Sequence, residues 1–187
     1  MLNTNRIDFL ASIKDKTECI DNEYFDFEKR IFGAKYASAP ENYQEFLQFF
    51  KRDFHLFSAR KDEKLIGCAF LDVVVPNQIY YLRVLGVDLK FRGLGISASI
   101  IEMMANALPR SSIIAFVSET DVVEDILLKN GSFRKKEFKK TEPPVVYEII
   151  SYNPKLKKAN EGCEIIGYYK THSGSKINGK LYIVERI

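Results

Sequence analysis

A chain of 187 residues, 46% hydrophobic and 28% charged, has the balance of an ordinary globular protein with one main core, which excludes a disordered or membrane-embedded class. A net charge of +3 is too small to point to nucleic acid, and the basic runs "FRKKEFKK" (133–140) and "KLKK" (155–158) read as solvated faces. Cys19, Cys68 and Cys163 are far apart and have only His55 and His172 to join them, so neither a disulfide framework nor a metal site is expected.

The N-terminal stretch "MLNTNRIDFLASIKDKTECIDNEYF" scatters charge through itself and lacks the apolar core of a secretion signal, so the cytoplasm is the expected compartment, with no membrane contact. The first fifty or so residues read as helical. In "ENYQEFLQFFKRDF", Phe46, Phe49, Phe50 and Phe54 recur at spacings of three and four and make one apolar stripe. Tyr24, Phe25 and Phe27, with Glu23 and Asp26, form either a packing stripe or a pocket for a cationic amine.

From His55 the period changes. "HLFSARKDEKLIGCAFLDVVV" gives two strands around the turn "RKDEK", and "NQIYYLRVLGVDL" gives a third after "PNQ", a meander of antiparallel strands. Within it Cys68 reads as a buried structural thiol, His55 as structural, and Gly86 as the site of a bulge. A helix over 96–107 stopped by Pro109 and the apolar strand "SSIIAFVSE" complete a βαβ crossover. "DVVEDILLKNG" predicts a short helix with Asp121 as N-cap and Asn130-Gly131 as its stop. "SFRKKEFKK" and "PVVYEIISYN" predict two more strands, and "CEIIGYYK" with "KLYIVERI" predicts a C-terminal hairpin. The hairpin covers a cleft, extends the sheet, or offers an edge for a homodimer. The fold class is α+β: N-terminal helices, then a mixed, mostly antiparallel sheet with a central βαβ crossover. Residues 1–154 form the main domain and 155–187 a β-hairpin extension.

The chemistry concentrates in "DLKFRGLGISASIIEMM" (88–104). Glycine permits positive φ and leaves the backbone bare, a helix start carries unpaired N–H groups and a positive dipole end, and Arg92 adds a forked donor. Together these suit a phosphate or pyrophosphate. A purely structural turn is the plain alternative. A dinucleotide fingerprint is a third reading, since Gly93, Gly95 and Ala98 fit its spacing and Glu119 stands near its ribose-binding position. Against it, Asp88 to Arg92 separate the strand from Gly93, the motif follows an antiparallel meander, and too few βα units follow.

"VLGVDLKFRGLGIS" resembles the signature of the Gcn5-related N-acetyltransferase (GNAT) superfamily, a strand ending in Val followed by Arg/Gln-x-x-Gly-x-Gly/Ala. Val87, Arg92 and Gly95 take the strand, basic and glycine positions, and Ser97 departs from the usual Gly or Ala. The order of elements over residues 55–150 follows the same plan, and "KNGSF" resembles the family's Lys-x-Gly-Phe with Ser132 inserted. The resemblance implies an acyl-CoA N-acyltransferase fold with acetyl-CoA between two splayed parallel strands. The amides of Arg92, Gly93, Leu94, Gly95, Ile96 and Ser97 would hold the pyrophosphate, and the main chain at Leu85 and Val87 the pantetheine arm. It implies direct transfer of an acetyl group to an amine of a small molecule or peptide. Glu119 and Asp121 become candidate bases. The family's acid tyrosine falls on Leu127, so Tyr80, Tyr81, Tyr147 or water takes that role, or the chain is a weak or inactive CoA-binding module.

Overall fold

The computed structural model describes residues 6–14, 22–36, 53–136, 156–159, 164–170 and 176–187. The helix expected over 41–54 lies outside the described residues as far as position 52, and its last stripe residue, Phe54, is extended and begins a strand rather than closing a helix; the strand expected over 144–153, and Cys19, Tyr147, Cys163 and His172 lie outside the described residues.

Among the described residues nine strands form one sheet in the order β1-β2-β3-β4-β5-β9-β8-β7, with β6 paired to β9. The first strand overturns a sequence expectation: β1 (Asp8–Lys14) is extended, not helical, and pairs antiparallel along its whole length with β2 (Phe54–Lys61). Its partner residues lie forty or more positions away, so no local pattern announced it. Helix α1 (Asn22–Tyr36) follows as expected.

The meander forms as read. A tight turn at Asp62 and Glu63, both at positive φ (48° and 64°), joins β2 to β3 (Lys64–Val75) with the twist a two-residue hairpin requires. Strand β4 (Ile79–Val87) closes the meander and β5 (Ile113–Ser118) runs parallel to it, the two being bridged by helix α2 (Ile96–Ala107). Helix α2 buries Ile96, Ile100, Ile101, Met104 and Ala105, one helical face, against the sheet. Gly67 on β3 makes this seating close: a Cβ there would stand 2.9 Å from Ile96 Cγ2 and 3.2 Å from Ile100 Cδ1. The sheet surface is thus cut away where α2 begins.

Helix α3 (Val122–Lys129) packs on the same side through Leu127, and β6 (Phe133–Lys135), β7 (Leu156–Ala159), β8 (Glu164–Lys170) and β9 (Lys176–Arg186) complete the chain. The C-terminal hairpin enters the sheet, with β9 antiparallel to β5 from Ile113↔Glu185 to Ser118↔Lys180. Arg186 locks its end: Nε donates to the carbonyl of Ala105 at 2.7 Å and Nη1 to that of Ser132 at 3.2 Å. A C-terminal helix carbonyl is thereby satisfied by a cation, the sign the helix dipole favours.

The opposite face carries α1. Tyr24 and Phe27 are buried with Phe54, Leu65, Cys68, Phe70 and Val84. Glu23 is committed to the hairpin: its carboxylate accepts from the Leu65 N–H at 2.8 Å and pairs with Arg60 at 2.8 Å. These residues therefore serve as a packing stripe and anchor rather than an open amine pocket. Cys68 is fully buried, and desolvation, with the Glu28 carboxylate nearby, pushes its thiol far above the usual range, which leaves it unreactive.

His55, on β2, meets the Tyr80 ring edge-on at 5.3 Å, and its Nδ1 is buried with no hydrogen-bond partner. Burial lowers its pKa from the ordinary value. Protonation therefore favours the unfolded chain, so this residue's contribution is intact above the unfolded pKa of about 6.5 and fades as pH falls toward the lower folded value. The denaturant midpoint of the wild type should drop more between pH 7.5 and pH 5 than that of His55→Leu. Parallel slopes would show that His55 carries no such linkage.

Candidate functional site

Strands β4 and β5 pair only over Ile79↔Ile113, Tyr80↔Ile114 and Tyr81↔Ala115. Beyond that point each continues, β4 to Val87 and β5 to Ser118, without pairing to the other. The two strands open like a V whose vertex is Tyr81 and Ala115. A cause is visible on β4, whose register against β3 slips between Phe70↔Val84 and Leu71↔Leu82, so that Arg83 is the extra residue of a bulge. A bulge bends its strand and increases local twist, which carries β4 away from a straight neighbour. Arg83 is held by an ion pair to Asp72 on β3, whose side chain is 1% exposed.

The bulge was expected at Gly86, which instead keeps regular pairing with Cys68. Its lack of a side chain has another reason: a Cβ there would meet Ile31 Cδ1 of α1 at 2.4 Å. Gly86 lets the helix approach the strand.

Register fixes which main-chain groups face the opening. The Asp88 N–H donates to the Ile66 carbonyl at 2.8 Å, so Asp88 and, by alternation, Gly86 and Val84 turn toward β3. Leu85 and Val87 then turn their N–H and C=O groups to the side from which β5 has departed. The Val87 carbonyl accepts from Arg92 Nε at 3.2 Å. Glu119 is exposed just past the end of β5, on the opposite arm of the opening from Leu85.

Asp88 to Gly95 carry the chain from β4 into α2. Asp88 caps a short 3-10 turn (Leu89–Phe91) by accepting from the Lys90 N–H at 3.2 Å, and Arg30 of α1 holds the same carboxylate at 3.3 Å. Gly93 (φ 81°) and Gly95 (φ 75°) then adopt left-handed conformations. Among the described residues nothing lies within 4 Å of where a Cβ would project at either position. Gly95 is the N-cap of α2 and its carbonyl takes the first helical bond, from the Ser99 N–H at 3.1 Å. The N–H groups of Ile96, Ser97 and Ala98 accordingly have no acceptor within the helix. Leu89 and Leu94 flank this start and are 64% and 63% exposed.

The proposed proton-transfer residues are spread along the opening. Tyr81 is at its vertex, in a buried apolar cluster with Ile79, Ala115, Ile113 and Ile183. Glu119 is four residues further out, about 13 Å along a strand. These two do not meet. Leu127 is fully buried in the core beneath α2 and α3. Tyr80 is likewise core, and burial raises its pKa.

Asp121 was expected to cap α3, yet it makes no side-chain capping bond. Its Oδ1 accepts instead from the Tyr182 hydroxyl at 2.6 Å, and the Tyr182 ring stacks on Phe116 at 5.3 Å. Desolvation and that hydrogen bond to Asp121 together push the Tyr182 phenol well up, so it holds its proton. Neither Tyr182 nor Arg83 was picked out from the sequence, since each acquires its role from a partner on another strand or helix. Among the described residues no three His, Cys, Asp or Glu side chains gather to hold a metal, and no helix is long and apolar enough to cross a membrane.

Comparison with known proteins sets this geometry among relatives. A family model described as "Acetyltransferase (GNAT) family" matches residues 21–125. The chain is similar in fold to the ribosomal-protein-S18-alanine N-acetyltransferase from Escherichia coli, at 13% identity and a TM-score of 0.57, covering 94% of this chain and 92% of that one. It is also similar to a Bacillus subtilis acetyltransferase solved in complex with CoA, at 11% identity and a TM-score of 0.51, covering 96% and 99%. A third likeness is to the IAA acetyltransferase from Bacillus cereus, at 11% identity and a TM-score of 0.50, covering 96% and 100%. No curated protein sequence matches the chain.

Proposed function

The chain belongs to the acetyltransferase (GNAT) family, and on that footing we propose that it moves the acetyl group of acetyl-CoA to an amine of a small molecule or peptide, by direct attack with both substrates bound. The observation that carries this reading is the opening between β4 and β5 beyond Tyr81↔Ala115, with the start of α2 at its mouth. The residues present fit the cofactor: two left-handed glycines with no described residue within 4 Å of where a Cβ would project and helix-start amides offer a pyrophosphate cradle, and Arg92 brings positive charge.

In this reading the amides from Arg92 to Ser97, including Gly93, Leu94, Gly95 and Ile96, hold the pyrophosphate. The outward groups of Leu85 and Val87 hold the pantetheine arm, which lies along the unpaired length of β4. Acetyl-CoA supplies an acyl group already activated as a thioester. The Leu85 N–H would meet the thioester carbonyl oxygen, where negative charge grows as the amine attacks, and a fixed donor there lowers the barrier. The amine must be neutral to attack. Glu119, just past the end of the far wall, is assigned the base role, reaching the amine through water. Tyr147 and Tyr81 are the assigned proton donors to the departing sulfur, Tyr81 only through intervening water, since it stands at the vertex four residues back from Leu85. Residues 1–154 make up the acetyltransferase domain and 155–187 the hairpin extension, whose strand β9 lies against β5.

Glu119→Gln should lower kcat/KM by about 10²-fold or more while leaving the Kd for CoA unchanged, because a general base acts in the transition state. An unchanged kcat/KM would remove Glu119 from the mechanism. A second reading, a CoA-binding module with weak or no turnover, is favoured by the burial of Leu127 at the position of the family's acid tyrosine. Measuring free-thiol release with a panel of amines and peptides separates the two. Robust turnover with any acceptor rejects the second.

A further inference from the structure

We propose that strand β1 is the docking edge for a second copy of this chain, the two strands running antiparallel with Ala11 of one opposite Ala11 of the other. Strand β1 ends the sheet on its side among the described residues, so its outer edge has no strand beside it. The Leu10 carbonyl faces inward, where it accepts from the Ser58 hydroxyl of β2 at 3.5 Å. Alternation then turns the N–H and C=O groups of Phe9, Ala11 and Ile13 outward. A row of outward backbone groups is a template for another strand, and proteins normally blunt such an edge with proline, a bulge or a charge at mid-strand. The segment "DFLASIK" has no proline, its pairing to β2 is unbroken, and its charges stand only at its two ends. Asp8, Phe9, Leu10 and Ala11 are exposed, Phe9 by 38% and Leu10 by 49%.

The sequence of the strand selects its own copy as the occupant. Antiparallel pairing about Ala11 sets Asp8 opposite Lys14 and Phe9 opposite Ile13, and two-fold symmetry makes each pair twice. The parity agrees: the residues whose backbone faces outward oppose one another, so all three positions exchange bonds. Moving the centre to Leu10 would put Asp8 opposite Ser12 and lose both charge pairs, so the register is specified. Asp8 now pairs with Arg6 at 3.1 Å, but both side chains are more than half exposed, and such surface pairs exchange partners at little cost. The inference stands independently of the acetyltransfer reading.

Sedimentation velocity on the full chain tests it. The wild type should run as a species of about twice the 21.6 kDa of one chain. Ala11→Pro removes an outward N–H without taking a bond from β2 and should give a monomer with an unchanged circular-dichroism spectrum. Asp8→Lys sets like charge opposite Lys14 at both ends and should weaken the dimer by about tenfold or more. Combining it with Lys14→Asp should restore the dimer. If Ala11→Pro fails to fold, the charge swap decides alone. A monomeric wild type, a dimer indifferent to Asp8→Lys, a double variant that stays weak, or open-ended assemblies that would pair β1 with the β7 edge each overturn the proposal.

Discussion

Gly95→Asp should lose CoA binding by about 100-fold or more while costing the fold only about 1–2 kcal/mol. The modest fold cost follows from the surroundings. At φ 75° any L side chain is strained, but no described residue lies within 4 Å of the new Cβ, so no clash with them adds to that strain. The large binding cost follows from charge, because a carboxylate at the N-cap would occupy the place of the pyrophosphate and satisfy the very N–H groups that would hold it. Calorimetric titration with CoA, read beside a thermal melt, separates the two effects. Equal losses in affinity and stability would make the glycines a structural turn only. Arg92→Ala distinguishes the same readings more gently, with a larger fall in affinity than in stability.

Arg83→Ala should destabilise the protein by about 3–5 kcal/mol, the cost typical of leaving one member of a buried ion pair behind. Asp72 is buried at 1% exposure on β3 and Arg83 is the bulge residue of β4 paired with it. The pair therefore sits where β4 turns away from β5, and its loss should relax the bulge as well as remove the cation facing a buried carboxylate. Replacing both residues by leucine should recover part of the stability, since apolar residues of similar size carry no desolvation penalty. Urea unfolding of the two single variants and the double variant measures this. A loss below about 1 kcal/mol for Arg83→Ala would show that the pair is solvated.

The parts of this fold legible in the sequence are those whose causes are local. Helix α2 runs from Ile96 to Ala107 as expected, because its apolar spacing, its glycine start and Pro109 all lie within the segment. The meander follows from alternating strands and their turns. What escaped was decided across the chain. Strand β1 has both Phe9 and Leu10 exposed and so no one-sided pattern, and only pairing with β2 makes it a strand. Gly86 looked like a bulge residue, but Ile31 of α1 explains its bare Cα, and Asp72 holds the bulge three residues earlier at Arg83. Asp121 has the composition of a cap, and Tyr182, sixty-one residues on, takes its carboxylate.

The candidate site divides in the same way. The glycines of "FRGLGIS" announce a bare, positively charged helix start from sequence alone, and Leu85 and Val87 owe their outward main chain to a register that Asp88 fixes against Ile66. Of the groups that would move protons, Tyr81 stands on β4 and Glu119 just past β5. Their relation depends on how far β4 and β5 part, which no residue type encodes.

A crystal structure of the protein with CoA tests the central claim most directly. The pyrophosphate oxygens should lie within about 2.7–3.2 Å of backbone N–H groups between Arg92 and Ala98, with the pantetheine arm along Leu85 and Val87 between β4 and β5. CoA bound elsewhere, or a β5 rejoined to β4 beyond Ala115, would contradict it.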